Sequence, residues 1–267
     1  MTTTYQVDNS IPERIVPGTL PWDIYEYEHK QRYSFFAPRC RGLTVLDAAC
    51  GVGYGSAMLA KAGARSVVGA DISKEAVEYA RRHFAQPNVR FVHCDVEKLA
   101  LPTHSFDAVI SFETIEHLKQ PRVFMEQVRS ILRPNGIFIC STPNKDFFDR
   151  GTTQNPHHLN EMSFDQFSAV FSEHFDIEDQ YYQSHSDAYR RHIQLLRELG
   201  HLTKPVRFSL FLKLENFMRR STGRDTWMAS PLSPELSRAV PGDYVIEPLD
   251  RPLDNHLTFI LAGRARN

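Results

Sequence analysis

Cysteine is scarce in this chain, and its four cysteines (Cys40, Cys50, Cys94 and Cys140) show no C-x-x-C spacing. That argues against a disulfide framework and for a reducing, cytoplasmic setting. Surplus charge is lacking too. With 31 basic against 32 acidic residues the net charge is -1, so no long-range field draws the chain to nucleic acid or to an anionic membrane. There is no apolar run of membrane-spanning length. The start, Met1-Thr2-Thr3-Thr4, is polar and has none of the apolar stretch of a signal peptide. Internal repeats and low-complexity tracts are missing as well. So are two phosphate-binding patterns: G-x-G-x-x-G would need glycine where Ser56 stands, and no Gly-Lys-Ser/Thr occurs.

What is present suits one domain with extensions: 267 residues, 42% of them hydrophobic. Val45-Leu46-Asp47-Ala48-Ala49-Cys50-Gly51-Val52-Gly53-Tyr54-Gly55-Ser56 reads as a buried strand, a glycine-rich turn and a helix start. A strand, a turn of this kind and a helix N-terminus make a nucleotide-type site at the carboxyl end of a parallel sheet. Further strands are expected at Ser66–Asp71, Val89–Val96, Phe106–Phe112, Ile137–Cys140, Phe175–Tyr182 and Leu257–Ala262. Helices are expected at Trp22–Pro38, Ser56–Ala62, Lys74–His83, Pro121–Leu132 and Phe164–Phe175. In Lys74–His83, Ala76, Val77 and Ala80 form an apolar stripe facing the sheet.

The run Asp47-x-Ala49-Cys50-Gly51-x-Gly53 resembles motif I of the class I S-adenosylmethionine-dependent methyltransferases, with Ala49 in place of the first glycine. Leu132-Arg133-Pro134-Asn135-Gly136 is similar to the family's turn before the fifth strand, with Asn135 for a glycine. The resemblance implies an α/β, doubly wound, seven-stranded Rossmann-like sheet whose last strand is antiparallel, with an N-terminal helical arm and a helical or loop insertion before that strand. Its segments are an arm and lid helix (1–38), a cofactor-binding core (39–182), an insertion (183–254) and the last strand and tail (255–267). An insertion at that place caps the substrate pocket or forms a homodimer contact. The resemblance also implies that S-adenosylmethionine is held by Asp47, Ala49, Gly51 and Gly53. Asp71 accepts from the ribose hydroxyls, with Ile72 beside it, and Asp95 binds the adenine amino group, with Val96 beside it. Phe112 packs on the methionine end, and Tyr33 reaches down from the lid. A carboxylate suits a ribose because its two oxygens take two donors.

Past the fourth strand comes Phe112-Glu113-Thr114-Ile115-Glu116-His117. If a helix starts there, Glu113, Glu116 and His117 fall at i, i+3 and i+4 and share one face. Two carboxylates and an imidazole make a candidate metal site, and oxygen-rich ligation favours Mg²⁺ or Mn²⁺ over Zn²⁺. Glu-x-x-Glu-His in this place is similar to the ubiquinone-biosynthesis and small-RNA 2'-O-methyltransferases, which use Mg²⁺ there. In the RNA enzymes a later His adds a ligand, and His158-Leu159-Asn160-Glu161-Met162-Ser163 matches that shape. The implied ligands are Glu113, Glu116, His117 and His158. Alternatively, the pair Glu116–His117 shapes a metal-free pocket with His117 as general base, or is structural. His117 or His157 would take the acceptor's proton.

The acceptor also comes from resemblance. Pro12–Gly18, Glu28–Tyr33, Ser111–His117, Ser141–Lys145 and Asn155–His158 look like bacterial methyltransferases of polysaccharide and glycan biosynthesis. A sugar or oligosaccharide hydroxyl is therefore expected. A small natural product methylated at O or N is the alternative.

Overall fold

The computed structural model describes residues 20–148, 157–186, 244–249 and 258–266. Most of the residues 1–21, which read from the sequence as an irregular arm, and the two stretches of the insertion that read as helical, Tyr189–Leu199 and Pro205–Arg220, lie outside the described residues.

Apolar residues alternate along each central strand, so each strand feeds two cores. Val45, Val67, Ile110, Ile139 and Ile260 point to one side of the sheet, and Leu46, Val68, Val109, Phe138 and Leu261 point to the other. The first side is covered by α1 (Leu20–Phe36), α2 (Tyr54–Lys61) and α3 (Lys74–His83). The second is covered by α4 (Pro121–Ile131) and α6 (Phe164–Ser172), while the short α5 spans Lys145–Phe148. The stripe expected on α3 is buried at Ala76, Val77 and Ala80, and Ser73 caps that helix by accepting from the Ala76 N–H.

The strands are β1 (Thr44–Ala48), β2 (Ser66–Asp71), β3 (Val89–His93), β4 (Phe106–Ser111), β5 (Leu132–Pro143), β6 (Phe175–His185), β7 (Tyr244–Pro248) and β8 (Thr258–Ala265). Their order is β3-β2-β1-β4-β5-β8-β6-β7. β1 to β5 are parallel. β8 lies antiparallel between β5 and β6, as expected. The sheet has eight strands rather than seven. Tyr244–Pro248, expected to be insertion loop, pairs antiparallel with the far end of β6, which runs to His185 rather than Tyr182. The chain direction across the sheet reverses between β1 and β4, so their carboxyl ends open a crevice where ligands bind in sheets of this kind. No helix among the described residues is long and apolar enough to cross a membrane.

α1 closes over that crevice. Its Gln31 donates to the Tyr244 carbonyl, and Gln183 of β6 donates to the Glu28 carbonyl and to Gln31 Oε1. Its Tyr33 ring lies flat against α2 at Gly55, where an added Cβ would sit 2.1–2.4 Å from the ring. Overpacking of this kind costs about 1–3 kcal/mol. Gly55→Ala is therefore expected to lower stability to urea by that amount, and the loss is expected to vanish in a Tyr33→Ala background. An equal loss in both backgrounds would place the clash elsewhere.

Candidate functional site

The first half of the site is the turn between β1 and α2. Ala49, Gly51 and Gly53 all take positive φ (61°, 55° and 90°), a conformation cheap for glycine and tolerable for a small residue. Gly53 is constrained twice over, since an added Cβ would come within 2.7 Å of both Ala80 and Phe91. The turn is held from β2: the Cys50 N–H donates to the Ala70 carbonyl (2.9 Å), and the Gly51 N–H to Asp71 Oδ2 (2.8 Å). The other Asp71 oxygen accepts from the Ser73 N–H (2.8 Å). Asp71 is thus anchored by both oxygens. Ile72, next along, is 60% exposed, an unusual state for an isoleucine beside a cleft. Asp95 caps a single 3-10 turn, Val96–Lys98, through the Glu97 N–H, and Val96 is buried beneath it.

Asp47 is completely buried at the end of β1. Its Oδ1 accepts from the Tyr33 hydroxyl (3.0 Å) and its Oδ2 from Ser56 (2.6 Å). Burial raises its pKa from 3.8 to about 6, against the lowering effect of those two hydrogen bonds, with Asp71 pushing the same way as burial. Phe112, at the end of β4, packs edge-on against Tyr33 with ring centroids 5.0 Å apart. Tyr33, Asp47 and Phe112 therefore form one contiguous wall of the crevice.

The second half lies beyond β4 and β5. The expected helix does not form there. Ile115–His117 is one 3-10 turn, and Glu113 precedes it with φ 50°. Glu113, Glu116 and His117 consequently do not share a helix face. Ser141, at the end of β5, donates to Glu113 Oε1 (2.8 Å) and accepts from the Glu113 N–H (3.1 Å), which holds that carboxylate aside.

Glu116, His117 and His158 do come together, with one potential ligand atom of each within 4.8 Å of the others. The expected four-residue set thus reduces to three, without Glu113. Glu116 is fully buried. Its Oε2 accepts from Thr142 (3.2 Å), while Oε1 has no hydrogen-bond partner among the described residues and lies 3.8 Å from His117 Nε2. Burial, and next the nearby Glu113 charge, push the Glu116 pKa well above the usual carboxylate range. His117 Nδ1 bonds the His157 carbonyl (3.1 Å); a carbonyl only accepts, so Nδ1 carries the proton and Nε2 the lone pair. His157 thus enters through its backbone. The loop carrying His158 is stitched to the turn by the Leu159 and Asn160 N–H groups, both donating to the Glu116 carbonyl (2.8 and 2.9 Å), and by the Asn160 side chain on the Leu118 carbonyl.

Ser141 and Thr142 were not singled out from the sequence, although two polar residues ending the apolar run Ile137–Cys140 were a visible signal. Arg32 of α1, which the sequence offers with Tyr33 as a candidate for the methionine carboxylate, has protein partners here. Fully buried, it donates through Nη1 to Glu28 Oε1 (3.0 Å) and to Gln183, and its charge also faces Glu113. The orphaned Glu116 oxygen and the chemistry of the donors, one carboxylate and two imidazoles, fit a divalent cation.

Residues 46–140 match the family described as a methyltransferase domain. The chain is similar to a probable S-adenosylmethionine-dependent methyltransferase of Mycolicibacterium smegmatis, 34% identical over 182 residues that cover 64% of this chain and 70% of that protein. It is also similar to the ubiquinone biosynthesis O-methyltransferase of Cereibacter sphaeroides, 35% identical over 108 residues, or 40% of this chain and 43% of that one. In fold it resembles the crystal structure of an S-adenosylmethionine-dependent methyltransferase from Mesorhizobium loti: the TM-score is 0.55 at 17% identity, covering 92% of this chain and 98% of that one.

The buried Asp47 yields a prediction with a definite sign. Its folded pKa lies above its unfolded value, so its contribution to stability is complete below about pH 4 and is lost as pH rises through about 6. A shift of this size corresponds to roughly 3 kcal/mol. Asp47→Asn does not titrate. Its stability relative to the parent is expected to rise by up to that amount between pH 4 and pH 7, read by urea denaturation. A trend of opposite sign would refute the raised pKa.

Proposed function

The chain belongs to the S-adenosylmethionine-dependent methyltransferases, and we propose that it is an O-methyltransferase acting on a sugar or glycan hydroxyl with the help of a divalent cation. S-adenosylmethionine is the methyl donor. The observation that carries the metal-assisted reading is the cluster of Glu116, His117 and His158, with a buried carboxylate oxygen lacking a partner among the described residues. Hydroxyl chemistry is supported by the similarity to the ubiquinone biosynthesis O-methyltransferase of Cereibacter sphaeroides, of whose length this chain spans 43%. The sugar acceptor rests on the resemblance of the stretches quoted above.

In this reading the two halves of the site do different work. Asp71 and Ile72 hold the ribose and adenine side of the donor, with Asp95 at the far end of the adenine. Ala49, Gly51 and Gly53 bring the backbone close to it. Asp47 lies beneath the turn and acts through its field on the ammonium and sulfonium, while Tyr33 and Phe112 wall the methionine end. Methyl transfer is an in-line displacement, so alignment of acceptor oxygen, methyl carbon and sulfur is the main requirement. Glu116 Oε1, His117 Nε2 and a His158 ring nitrogen would hold the cation. When bound, such an ion lowers the pKa of a coordinated hydroxyl and fixes its lone pair. With Glu113 held by Ser141, the ligand set has two nitrogens to one oxygen, so the oxygen-rich ground for disfavouring Zn²⁺ no longer holds, and Mn²⁺ or Zn²⁺ suits the set better than Mg²⁺. His117, if not engaged by a metal, is the group placed to accept the proton.

The decisive experiment titrates Mn²⁺ into metal-stripped protein, followed by electron paramagnetic resonance, with Glu116→Ala alongside. The parent is expected to bind and the variant to lose at least about tenfold in affinity, in line with losing one of three ligands. Chelation should abolish methylation of a panel of sugars, and Mn²⁺ should restore it. Activity that survives chelation but not His117→Ala would replace the metal reading with a metal-free base.

A further inference from the structure

Each imidazole of the cluster is fixed from behind. For His117 the anchor is a backbone carbonyl, that of His157. For His158 it is a side chain: Nδ1 lies 2.9 Å from Glu161 Oε1, with the two side chains only 16% and 17% exposed. Glu161 does not belong to the cluster of potential ligand atoms. We infer that Glu161 is a positioning residue, whose carboxylate accepts from His158 Nδ1–H and thereby presents the Nε2 lone pair to the site. This rests on the metal-assisted reading, and it gives a role at that site to a residue outside the implied ligands Glu113, Glu116, His117 and His158.

The physical argument has three parts. A neutral imidazole carries one proton, and the nitrogen that carries it is decided by which one meets an obligate acceptor. A carboxylate on Nδ1 forces the Nδ1–H form and leaves Nε2 as the electron-pair donor. The bond also fixes the ring about χ2, a broad torsion that is otherwise free to swing. The alternative, a surface ion pair spaced i,i+3, is disfavoured by the shared burial. The loop is independently pinned by the Leu159 and Asn160 N–H groups on the Glu116 carbonyl and by a backbone bond from Lys145 N–H to the Met162 carbonyl. With the backbone held that way, Glu161 is not needed to keep the loop in place, and its bond acts on the ring.

The test uses the full chain, metal-stripped, with Glu161→Ala, Glu161→Gln and His158→Ala. Mn²⁺ affinity is read by electron paramagnetic resonance. S-adenosylhomocysteine affinity and the thermal midpoint serve as measures of a purely structural effect. Glu161→Ala is expected to lose 10–100-fold in Mn²⁺ affinity, as outer partners of metal-bound histidines typically do, with S-adenosylhomocysteine binding and the midpoint unchanged. Glu161→Gln keeps an acceptor oxygen and should recover part of the loss. A second readout needs no metal. Proton–nitrogen correlation spectra of the metal-free parent should show His158 as the Nδ1–H tautomer, and Glu161→Ala should lose that preference. Mn²⁺ affinity of Glu161→Ala within twofold of the parent, while His158→Ala loses it, would overturn the inference. So would an unchanged tautomer, or a parallel loss of S-adenosylhomocysteine binding. A parent chain that binds no Mn²⁺ but keeps the Glu161-dependent tautomer would overturn the metal reading and leave the positioning of His158 by Glu161 standing.

Discussion

The carboxylate of Asp47 is buried where three elements meet. Asp47 lies one residue before the end of β1, and its oxygens accept hydrogen bonds from the hydroxyls of Tyr33 on α1 and Ser56 on α2. A carboxylate without water costs several kcal/mol unless it is bonded, so both hydroxyls are required partners rather than decoration. Meeting that requirement fixes the approach of α1 and the first turn of α2. It also accounts for Gly55: the Tyr33 ring must cross α2 to reach Asp47, and no Cβ fits under it. Phe112 packs on the other side of the same ring, so the end of β4 is positioned through the same knot.

A second electrostatic arrangement extends from it. Arg32, one residue before Tyr33, is buried between Glu28 and Glu113, and its guanidinium offsets two carboxylates that would otherwise repel each other near Glu116. Gln183 accepts from Arg32 and donates to the Glu28 carbonyl, so β6 shares in fixing this charge. The C-terminal half of α1 is therefore bound both to Asp47, beneath the β1–α2 turn, and to the antiparallel edge of the sheet. Displacing it would separate Arg32 from Glu113 and Tyr33 from Asp47 together, which couples the position of α1 to the charge balance of both halves of the site.

The parallel part of the fold was legible because its strands are short apolar runs ending in Asp71, Asp95 and the Asp47 turn, and because Lys74–His83 carries a clean helical stripe bounded by a serine cap. β7 was not legible for a physical reason. Tyr244–Pro248 is five residues long, only its first residue is buried, and its partner β6 ends at His185, far back in the sequence. Nothing local distinguishes such an edge strand from the proline-punctuated segment around it. The candidate site was legible in its residue types but not in its geometry. Glu113 at φ 50° adopts a backbone state that its side chain does not encode, and that state is set by Ser141 on a neighbouring strand. The spacing Glu-x-x-Glu-His suggested a helix face. The structure substitutes a 3-10 turn, and the third group arrives from His158, forty-one positions after His117.

Loops are poor places for a precise constellation unless their backbones are held, because small displacements are expensive in reactions that depend on alignment. Here the holding is reciprocal. Glu116 gives its side chain to the cluster and its carbonyl to the Leu159 and Asn160 N–H groups. The opposite loop gives the His158 ring to the cluster and the His157 carbonyl to His117. Neither segment can shift without breaking hydrogen bonds to the other, each worth about 0.5–1.5 kcal/mol. The sheet then sets the remaining distance. The turn that follows β4 and the segment bonded beside the end of β5 emerge from adjacent parallel strands, next to the β1 turn and on the same edge of the crevice. Register fixed by the buried strands is in this way carried to groups on loops, and the alignment a methyl transfer needs rests on the hydrogen bonds of the sheet.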